Sequence, residues 1–229
     1  MPQPPRQLPL DLPVEPRYGA EDFLVSPCNE VAYALIERWP EWPDRVVRLL
    51  GPDGSGKTHL AAIWAARACA WTVRAAELTE ESVAELAPGG TVVVEDCDAG
   101  PRDEHAFFHL LNAVRGRGGH ALLTARTPPD AWGLATPDLL SRLRLAPAVE
   151  LGAPDDALLK AVLVKLFVDR QLVVDTSVVD YLAVRIERSL AVAQRVVALL
   201  DREALSRGRR ITRAMATDVV QSLLRGEEG

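Results

Sequence analysis

Residues 51–58, with the sequence GPDGSGKT, combine flexible glycines with a lysine and a hydroxyl at a spacing suited to phosphate chemistry. Gly51, Gly56, Lys57 and Thr58 fit the pattern G-x-x-x-x-G-K-[ST]. Glycines in such a loop let backbone N–H groups point at phosphate oxygens, and the helix that follows adds its dipole. We expect Lys57 to reach the β- and γ-phosphates of a nucleotide and the Thr58 hydroxyl to bind Mg²⁺. The residues of this segment predicted to bind nucleotide are Gly51, Pro52, Asp53, Gly54, Ser55, Gly56, Lys57, Thr58 and His59.

A second candidate feature is the acidic end of the apolar run VVVED, residues 92–96. Acids at the end of a buried strand can hold Mg²⁺ through water and polarise an attacking water molecule. We assign Glu95 to the metal position and Asp96 to the catalytic, water-activating position. The usual order places Asp first, and the longer side chain of Glu95 predicts a looser metal geometry. Two solvated acids at a strand end are the alternative interpretation.

These residues must be positioned by the elements around them, and apolar periodicity predicts those elements. Short apolar strands alternate with helical segments as far as residue 151. The predicted strands are 45–51, 71–76, 91–98, 120–125 and 147–151, and the predicted helices are 29–39, 57–70 and 104–116. This alternation indicates an α/β fold with a parallel five-stranded sheet and helices on both of its faces.

After Pro154 the pattern changes to helices alone. The predicted helices are 155–171, 176–187, 189–208 and 212–224, with Asp155, Thr176, Ser189 and Thr212 as their N-caps. The chain is therefore predicted to have three parts: a flexible N-terminal arm over 1–20, an α/β domain over 21–152 and an all-helical domain over 153–229.

Composition and charge restrict the class of protein. Of 229 residues, 48% are hydrophobic and the net charge is −6, which is ordinary for a globular protein and unlike a chain that mainly binds the nucleic-acid backbone. No apolar run approaches the roughly 20 residues that span a bilayer, and no secretory signal begins the sequence. Cys28, Cys69 and Cys97 are scattered without metal-ligand spacing and indicate reduced thiols. The expectation is a cytoplasmic protein with no membrane partner.

The arm contains an unusual segment, RQLPLDLP, residues 6–13. Leu8, Leu10 and Leu12 alternate with polar or prolyl positions, and the prolines exclude a helix or a central strand. Three leucines on such a segment either pack on their own domain or bind another protein. The residues alone leave both interpretations open.

The phosphate loop, the acidic strand and the trailing helices together resemble an AAA+ ATPase, and more closely the Hda-like, DnaA-homologous family. The segments that carry the resemblance are 22–39, 122–151 and 185–205, and it covers nearly the whole chain. It implies an AAA+ fold with a helical lid, and ADP or ATP with Mg²⁺ as ligands.

The resemblance also implies roles for single residues. Arg142, within PDLLSRL, matches an arginine finger that acts in trans on a neighbour's γ-phosphate. Arg188 matches a second sensor that folds the lid onto the nucleotide. For each, a surface arginine is the alternative. Arg126 stands at the first-sensor position, where a small acid or amide is usual, and Thr124 is its only polar neighbour on the strand. With the Glu95–Asp96 order, this departure favours weak or absent hydrolysis by the chain itself.

Hda-like proteins carry an N-terminal peptide similar to Q-L-x-L-x-L that docks on the DNA polymerase III sliding clamp, its β subunit. Gln7, Leu8, Leu10 and Leu12 match that peptide. The resemblance therefore implies the clamp and DnaA as partners. No basic recognition helix follows the lid, so sequence-specific DNA recognition is not expected.

Three functions follow as hypotheses. In the first, the chain is a clamp-tethered regulator that stimulates ATP hydrolysis by DnaA and prevents re-initiation. In the second, it is a nucleotide-dependent adaptor or helicase-loader-type replication factor. A stand-alone P-loop enzyme such as a small-molecule kinase is the third. The sequence leaves open which nucleotide stays bound, and whether the chain forms a homo-oligomer.

Overall fold

The computed structural model describes residues 18–86 and 90–225 of the chain. These residues form two compact units, Tyr18–Ala153 and residues 154–225. No helix of the described chain is long and apolar enough to cross a bilayer.

The first unit is built on a parallel sheet. Its strands are β1 Val46–Leu50, β2 Trp71–Arg74, β3 Thr91–Glu95, β4 His120–Ala125 and β5 Ala148–Glu150. They lie in the order β2-β3-β4-β1-β5, and every paired neighbour runs parallel. The prediction of a five-stranded parallel sheet is confirmed. Because all strands run the same way, the loops after β1, β3 and β4 emerge at one edge of the sheet.

Helices cover both faces of this sheet. They are α1 Glu30–Glu37, α2 Lys57–Ala68, α3 Glu80–Leu86, α4 Glu104–Gly116 and α5 Pro137–Leu145, with short 3-10 turns at Ala20–Asp22, Ala75–Glu77 and Pro129–Ala131. Helices α3 and α5 were not predicted from the periodicity. Helix α3 has only seven residues and is acidic. Helix α5 has nine residues and begins with a proline at its first position.

Alternation along the strands divides the apolar core into two layers, because successive strand residues point to opposite faces. On one face, Val47 and Leu49 of β1 pack with α1 and α2, and Trp64 is fully buried there. On the other face, Val46 and Leu50 pack with α3, α4 and α5, and Phe107 is fully buried. The sheet that carries the phosphate loop is therefore fixed from both sides.

The second unit is helical in its described part. It consists of α6 Asp156–Asp169, α7 Thr176–Arg185, α8 Leu190–Arg207 and α9 Arg213–Leu224, which enclose their own apolar core. Three of the predicted N-caps are confirmed, since Asp155, Ser189 and Thr212 each accept a bond from a backbone N–H three residues on. The fourth is wrong. Asp175 caps α7 through the N–H of Ser177, and Thr176 is the first helical residue, because the carboxylate sits one position earlier on extended backbone.

Candidate nucleotide-binding site

The loop after β1 requires glycine at two of its positions. A Cβ at Gly51 would lie 2.4 Å from the carbonyl oxygen of Leu151. Gly56 has a φ of 102°, which is strained for residues with a side chain. Helix α2 begins at the next residue, Lys57. The strand, the tight loop and the helix therefore follow one another as the phosphate-loop pattern demands.

Lys57 is held inside this loop. Its Nζ donates to the backbone oxygens of Gly51 and Pro52 over 2.6 and 2.8 Å, and the residue is 8% exposed. Burial lowers the pKa of Lys57, and the carboxylates around it, Asp53 first, act in the opposite direction. A charged phosphate oxygen is a stronger acceptor for an ammonium than a neutral carbonyl, so the position of Lys57 suits a phosphate ligand.

Two buried polar atoms, one in the loop and one at the end of β3, lack hydrogen-bond partners among the described residues. They are Oγ of Ser55 and Oε1 of Glu95. An unsatisfied buried polar atom costs about 1–3 kcal/mol, so each such atom needs an explanation. A carboxylate oxygen left in this state at the end of β3 suits a hydrated cation. Thr58, in the first turn of α2, offers an exposed hydroxyl. The residues present thus fit a magnesium–nucleotide ligand.

Asp96, the residue after β3, has an unusual backbone. Its φ is 54°, and its N–H donates to Oγ1 of Thr124 over 3.1 Å. Thr124 is 1% exposed, whereas Asp96 is exposed. The threonine that the sequence singled out beside the first-sensor position therefore fixes the backbone of Asp96 and leaves the carboxylate of Asp96 accessible.

A carboxylate that the sequence analysis missed holds Arg126. The side chain of Asp98 is 5% exposed and pairs with the guanidinium of Arg126. It also accepts a bond from Oγ1 of Thr127 over 3.3 Å. On its other side, the guanidinium lies 3.7 Å from Oδ2 of Asp53 in the phosphate loop. The hydrogen bond to Asp98 is the main reason that the pKa of Arg126 is raised. Arg126 thus bridges the loop after β3 and the phosphate loop.

The segment before α1 packs on His59, which the sequence placed among the nucleotide-binding residues. The His59 ring lies 5.3 Å from that of Tyr18 and 5.2 Å from that of Phe23. Its Nε2 is 3.0 Å from the carbonyl oxygen of Gly19. Burial raises the pKa of Tyr18, and the negative charge of Glu95 adds to that shift. His59 therefore anchors the leading segment beside the acidic end of β3, a packing role that local patterns did not indicate.

Arg142 lies in α5, with Leu139 and Leu143 of the same helix fully buried beneath it. Its Cζ is 4.6 Å from the centroid of the Phe108 ring in α4. Within residues 18–86 and 90–225, the guanidinium has no carboxylate partner, and it makes no hydrogen bond to the phosphate loop. The structure therefore does not bring Arg142 into its own chain's loop.

Arg188 lies in the turn between α7 and α8, two residues before the first residue of α8. It pairs with Oδ1 of Asp156 over 2.8 Å, and both side chains are more than half exposed. Both residues belong to the helical unit. Gln7, Leu8, Leu10 and Leu12, predicted to bind the clamp, lie outside the described residues.

Curated relatives that the chain resembles are chromosomal replication initiator proteins DnaA. That of Caulobacter vibrioides strain NA1000 is 31% identical over 143 residues, which cover 52% of this chain and 29% of that protein. That of Gluconobacter oxydans is 25% identical over 245 residues, covering 96% of this chain and 51% of that protein. The matches thus span about half or less of the relatives' length. No protein-family model matches the chain.

Solved structures with the same fold include domain III of the Thermotoga maritima replication initiation protein DnaA. It has a TM-score of 0.74 and 16% identity, covering 92% of this chain and 98% of that one. AMPPCP-bound DnaA from Aquifex aeolicus has a TM-score of 0.67 and 17% identity, and the match covers 93% of this chain and 70% of that one. The Thermotoga maritima RuvB Holliday junction branch migration motor has a TM-score of 0.71 and 16% identity, and the match covers 90% of this chain and 72% of that one. At these identities the likeness shows the fold alone.

Proposed function

We propose that this chain, which is similar to DnaA proteins in sequence and shares the fold of DnaA domain III, is a nucleotide-binding regulator that stimulates ATP hydrolysis by DnaA in trans. In this proposal it acts in the cytoplasm, is tethered to the sliding clamp by residues 7–12, and prevents re-initiation of replication. The observation that carries the proposal is Arg142, a half-buried arginine on α5 whose charge no carboxylate of the described chain neutralises.

Nucleotide binding is the first step of the proposal. The backbone of residues 51–56 and the first turn of α2 cradle the phosphates, and Lys57 exchanges its carbonyl partners for phosphate oxygens. Thr58 and Glu95 would hold the hydrated cation. Bound Mg²⁺ supplies positive charge that offsets the charge of the β- and γ-phosphates. Support comes from the need for glycine at Gly51 and from the buried Glu95 oxygen, to which no described residue donates a hydrogen bond.

The chain's own hydrolysis is proposed to be weak. Asp96 is accessible and can polarise a water molecule, but the first-sensor position holds Arg126, which two carboxylates engage. A small amide at this position can orient a water molecule, whereas a cation fixed in this way cannot take that role. In this proposal the bound nucleotide sets the conformation of the chain, and Arg188 of the helical unit is the proposed lid contact.

In the proposed action on DnaA, Arg142 enters the partner's active site. An arginine finger stabilises negative charge that develops on the transferred phosphoryl group, and it acts from outside the subunit that binds the nucleotide. The guanidinium must therefore reach the partner with its charge available. Arg144, two residues further along α5, is instead paired with Asp130. That difference between two arginines of one helix supports the assignment to Arg142.

Clamp binding by the arm is the remaining part of the proposal. Full burial of each leucine in an apolar pocket contributes about 1.5–3 kcal/mol before ordering costs. Prolines restrict the unbound arm and so reduce the entropy that binding must remove. A ring-shaped clamp that binds more than one copy strengthens the contact further.

The experiment mixes ATP-bound DnaA with DNA-loaded clamp and this protein, and measures conversion to ADP-bound DnaA. The wild-type chain should accelerate conversion, and Arg142→Ala should reduce that acceleration at least about tenfold. Arg144→Ala, the matched control on the same helix, should keep it. Equal rates for wild type and Arg142→Ala would overturn the proposal. Capture of a helicase without any conversion of DnaA would favour the adaptor hypothesis.

A further inference from the structure

Phe108 and Arg142 form a stack between two helices. The guanidinium carbon lies 4.6 Å from the ring centroid, a distance at which a cation is attracted to the face of an aromatic ring. Phe108 is half-buried and packs against the apolar layer beneath α4. The ring is thus held from below, while its upper face supports the arginine.

The same face of α4 also fixes the beginning of α5. Glu104 lies one turn before Phe108, and side chains four residues apart share a helix face. The carboxylate of Glu104 accepts bonds from the N–H groups of Ala135 and Thr136 over 2.9 and 2.7 Å. Thr136 is the N-cap of α5. Glu104 therefore holds α5 at its first turn, and Phe108 contacts it near the other end, at Arg142.

We propose that Phe108 is a positioning residue for Arg142, an inference that rests on the proposed function. A guanidinium that lies over a ring is attracted to the π-face, and that attraction uses none of its N–H hydrogen bonds. The ring therefore restricts the rotamers of a long side chain without using any of its donors. A carboxylate at the same place would hold the arginine equally well but would neutralise the charge that a partner's phosphate must meet.

A positioning role for Phe108 differs from that of a residue that merely fills the core. If only volume mattered, a leucine would replace the ring. If the flat π-face matters, tyrosine retains the function and leucine does not. Restricting the Arg142 side chain before it meets its target lowers the entropy lost on contact. Loss of the Phe108 ring should therefore lower the rate of DnaA conversion.

The test measures conversion of ATP-bound DnaA in the presence of DNA-loaded clamp for Phe108→Leu, Phe108→Tyr and Arg142→Ala. Phe108→Leu should lower the stimulation about threefold to tenfold, the range expected from the loss of a cation–π contact. Phe108→Tyr should stay within about twofold of wild type. Combined with Arg142→Ala, Phe108→Leu should cause no additional loss, because the ring acts through the guanidinium. Thermal unfolding of each variant checks that the fold is retained.

The outcomes distinguish the inference from the function on which it rests. If Arg142→Ala keeps full stimulation, the proposed function fails and the positioning role fails with it. If Arg142→Ala loses stimulation while Phe108→Leu keeps it, the function stands and the positioning role is overturned. Equal losses for Phe108→Leu and Phe108→Tyr would also overturn it, as would a further loss from Phe108→Leu in the Arg142→Ala chain.

Discussion

Asp98 holds Arg126 at two points with one carboxylate oxygen. The backbone N–H and the Nε of Arg126 each donate to Oδ2 of Asp98 over 3.1 Å. The loop after β3 and the loop after β4 are thereby fixed to each other directly beside the phosphate loop. A side chain bound in this way cannot turn to orient a water molecule at the γ-phosphate, which leads to a prediction about turnover.

Arg126→Asn should increase ATP hydrolysis by the isolated chain, at least about fivefold, because an amide can orient the attacking water. Steady-state phosphate release measures this rate without DnaA or the clamp. Arg144→Asn is the matched control, because Arg144 is an exposed arginine paired with Asp130. An unchanged rate in Arg126→Asn would show that the identity of the first-sensor residue does not limit turnover.

Lys57→Met should abolish nucleotide binding while the chain still folds. The methionine loses the cation that meets the phosphates, while the wild-type ammonium is buried against neutral carbonyls, where burial lowers its pKa. Thermal unfolding with and without ADP tests both parts: ADP should raise the Tm of wild type and leave that of Lys57→Met unchanged. Lys160→Met, which removes an exposed lysine paired with Asp180, should respond to ADP like wild type. A full ADP response in Lys57→Met would contradict the site.

His120 should make stability depend on pH below neutrality. Burial lowers the pKa of His120, and the positive charge of Arg45 lowers it further. The unfolded chain therefore binds a proton at a higher pH than the folded chain, and the free energy of unfolding falls as the pH drops below about 6.5. Urea unfolding between about pH 7.5 and 5.5, followed by tryptophan fluorescence, measures this, since Trp39 and Trp42 contact the ring.

The matched variants for this titration are His120→Gln and His105→Gln. The first should flatten the pH dependence over that interval, because the group that resists protonation is gone. The second removes a histidine that is 73% exposed and should leave the wild-type dependence in place. If both variants keep the same slope as wild type, another group controls stability in this range.

Leu10→Ala and Leu12→Ala should each weaken clamp binding about tenfold or more, as expected for loss of a leucine that becomes buried on binding. Surface plasmon resonance with immobilised clamp measures the Kd. Val14→Ala, an apolar truncation just beyond the motif, should bind like wild type. Similar losses in all three variants would indicate nonspecific hydrophobic binding by the arm and contradict a specific peptide site.

The sequence predicted the elements that are marked by local signals. Helix α4 and strand β4 have the predicted bounds, Glu104–Gly116 and His120–Ala125, because a capping aspartate begins the helix and a glycine-rich turn separates the two. The strand, glycine-rich loop and helix around residues 51–58 were equally predictable, since their signals lie in one short stretch of consecutive residues. Helices α3 and α5 were missed because short segments carry too few periods of apolar spacing.

The parts of the site that the sequence could not provide are contacts between distant residues. Asp98 and Arg126 are 28 positions apart, and only the neighbouring ends of β3 and β4 bring them together. The same holds for Phe108 and Arg142, which meet because α4 and α5 pack on one face of the sheet. Tertiary partners of this kind leave no trace in local periodicity or spacing.

The strand order has a consequence for how such a protein can diversify. Of the residues proposed to meet the nucleotide, Glu95 ends β3, Asp96 follows β3 and Arg126 follows β4. Lys57 begins the helix after the loop that follows β1. Exchange of these few residues should therefore change the proposed nucleotide chemistry, while the buried strand residues before them keep their packing.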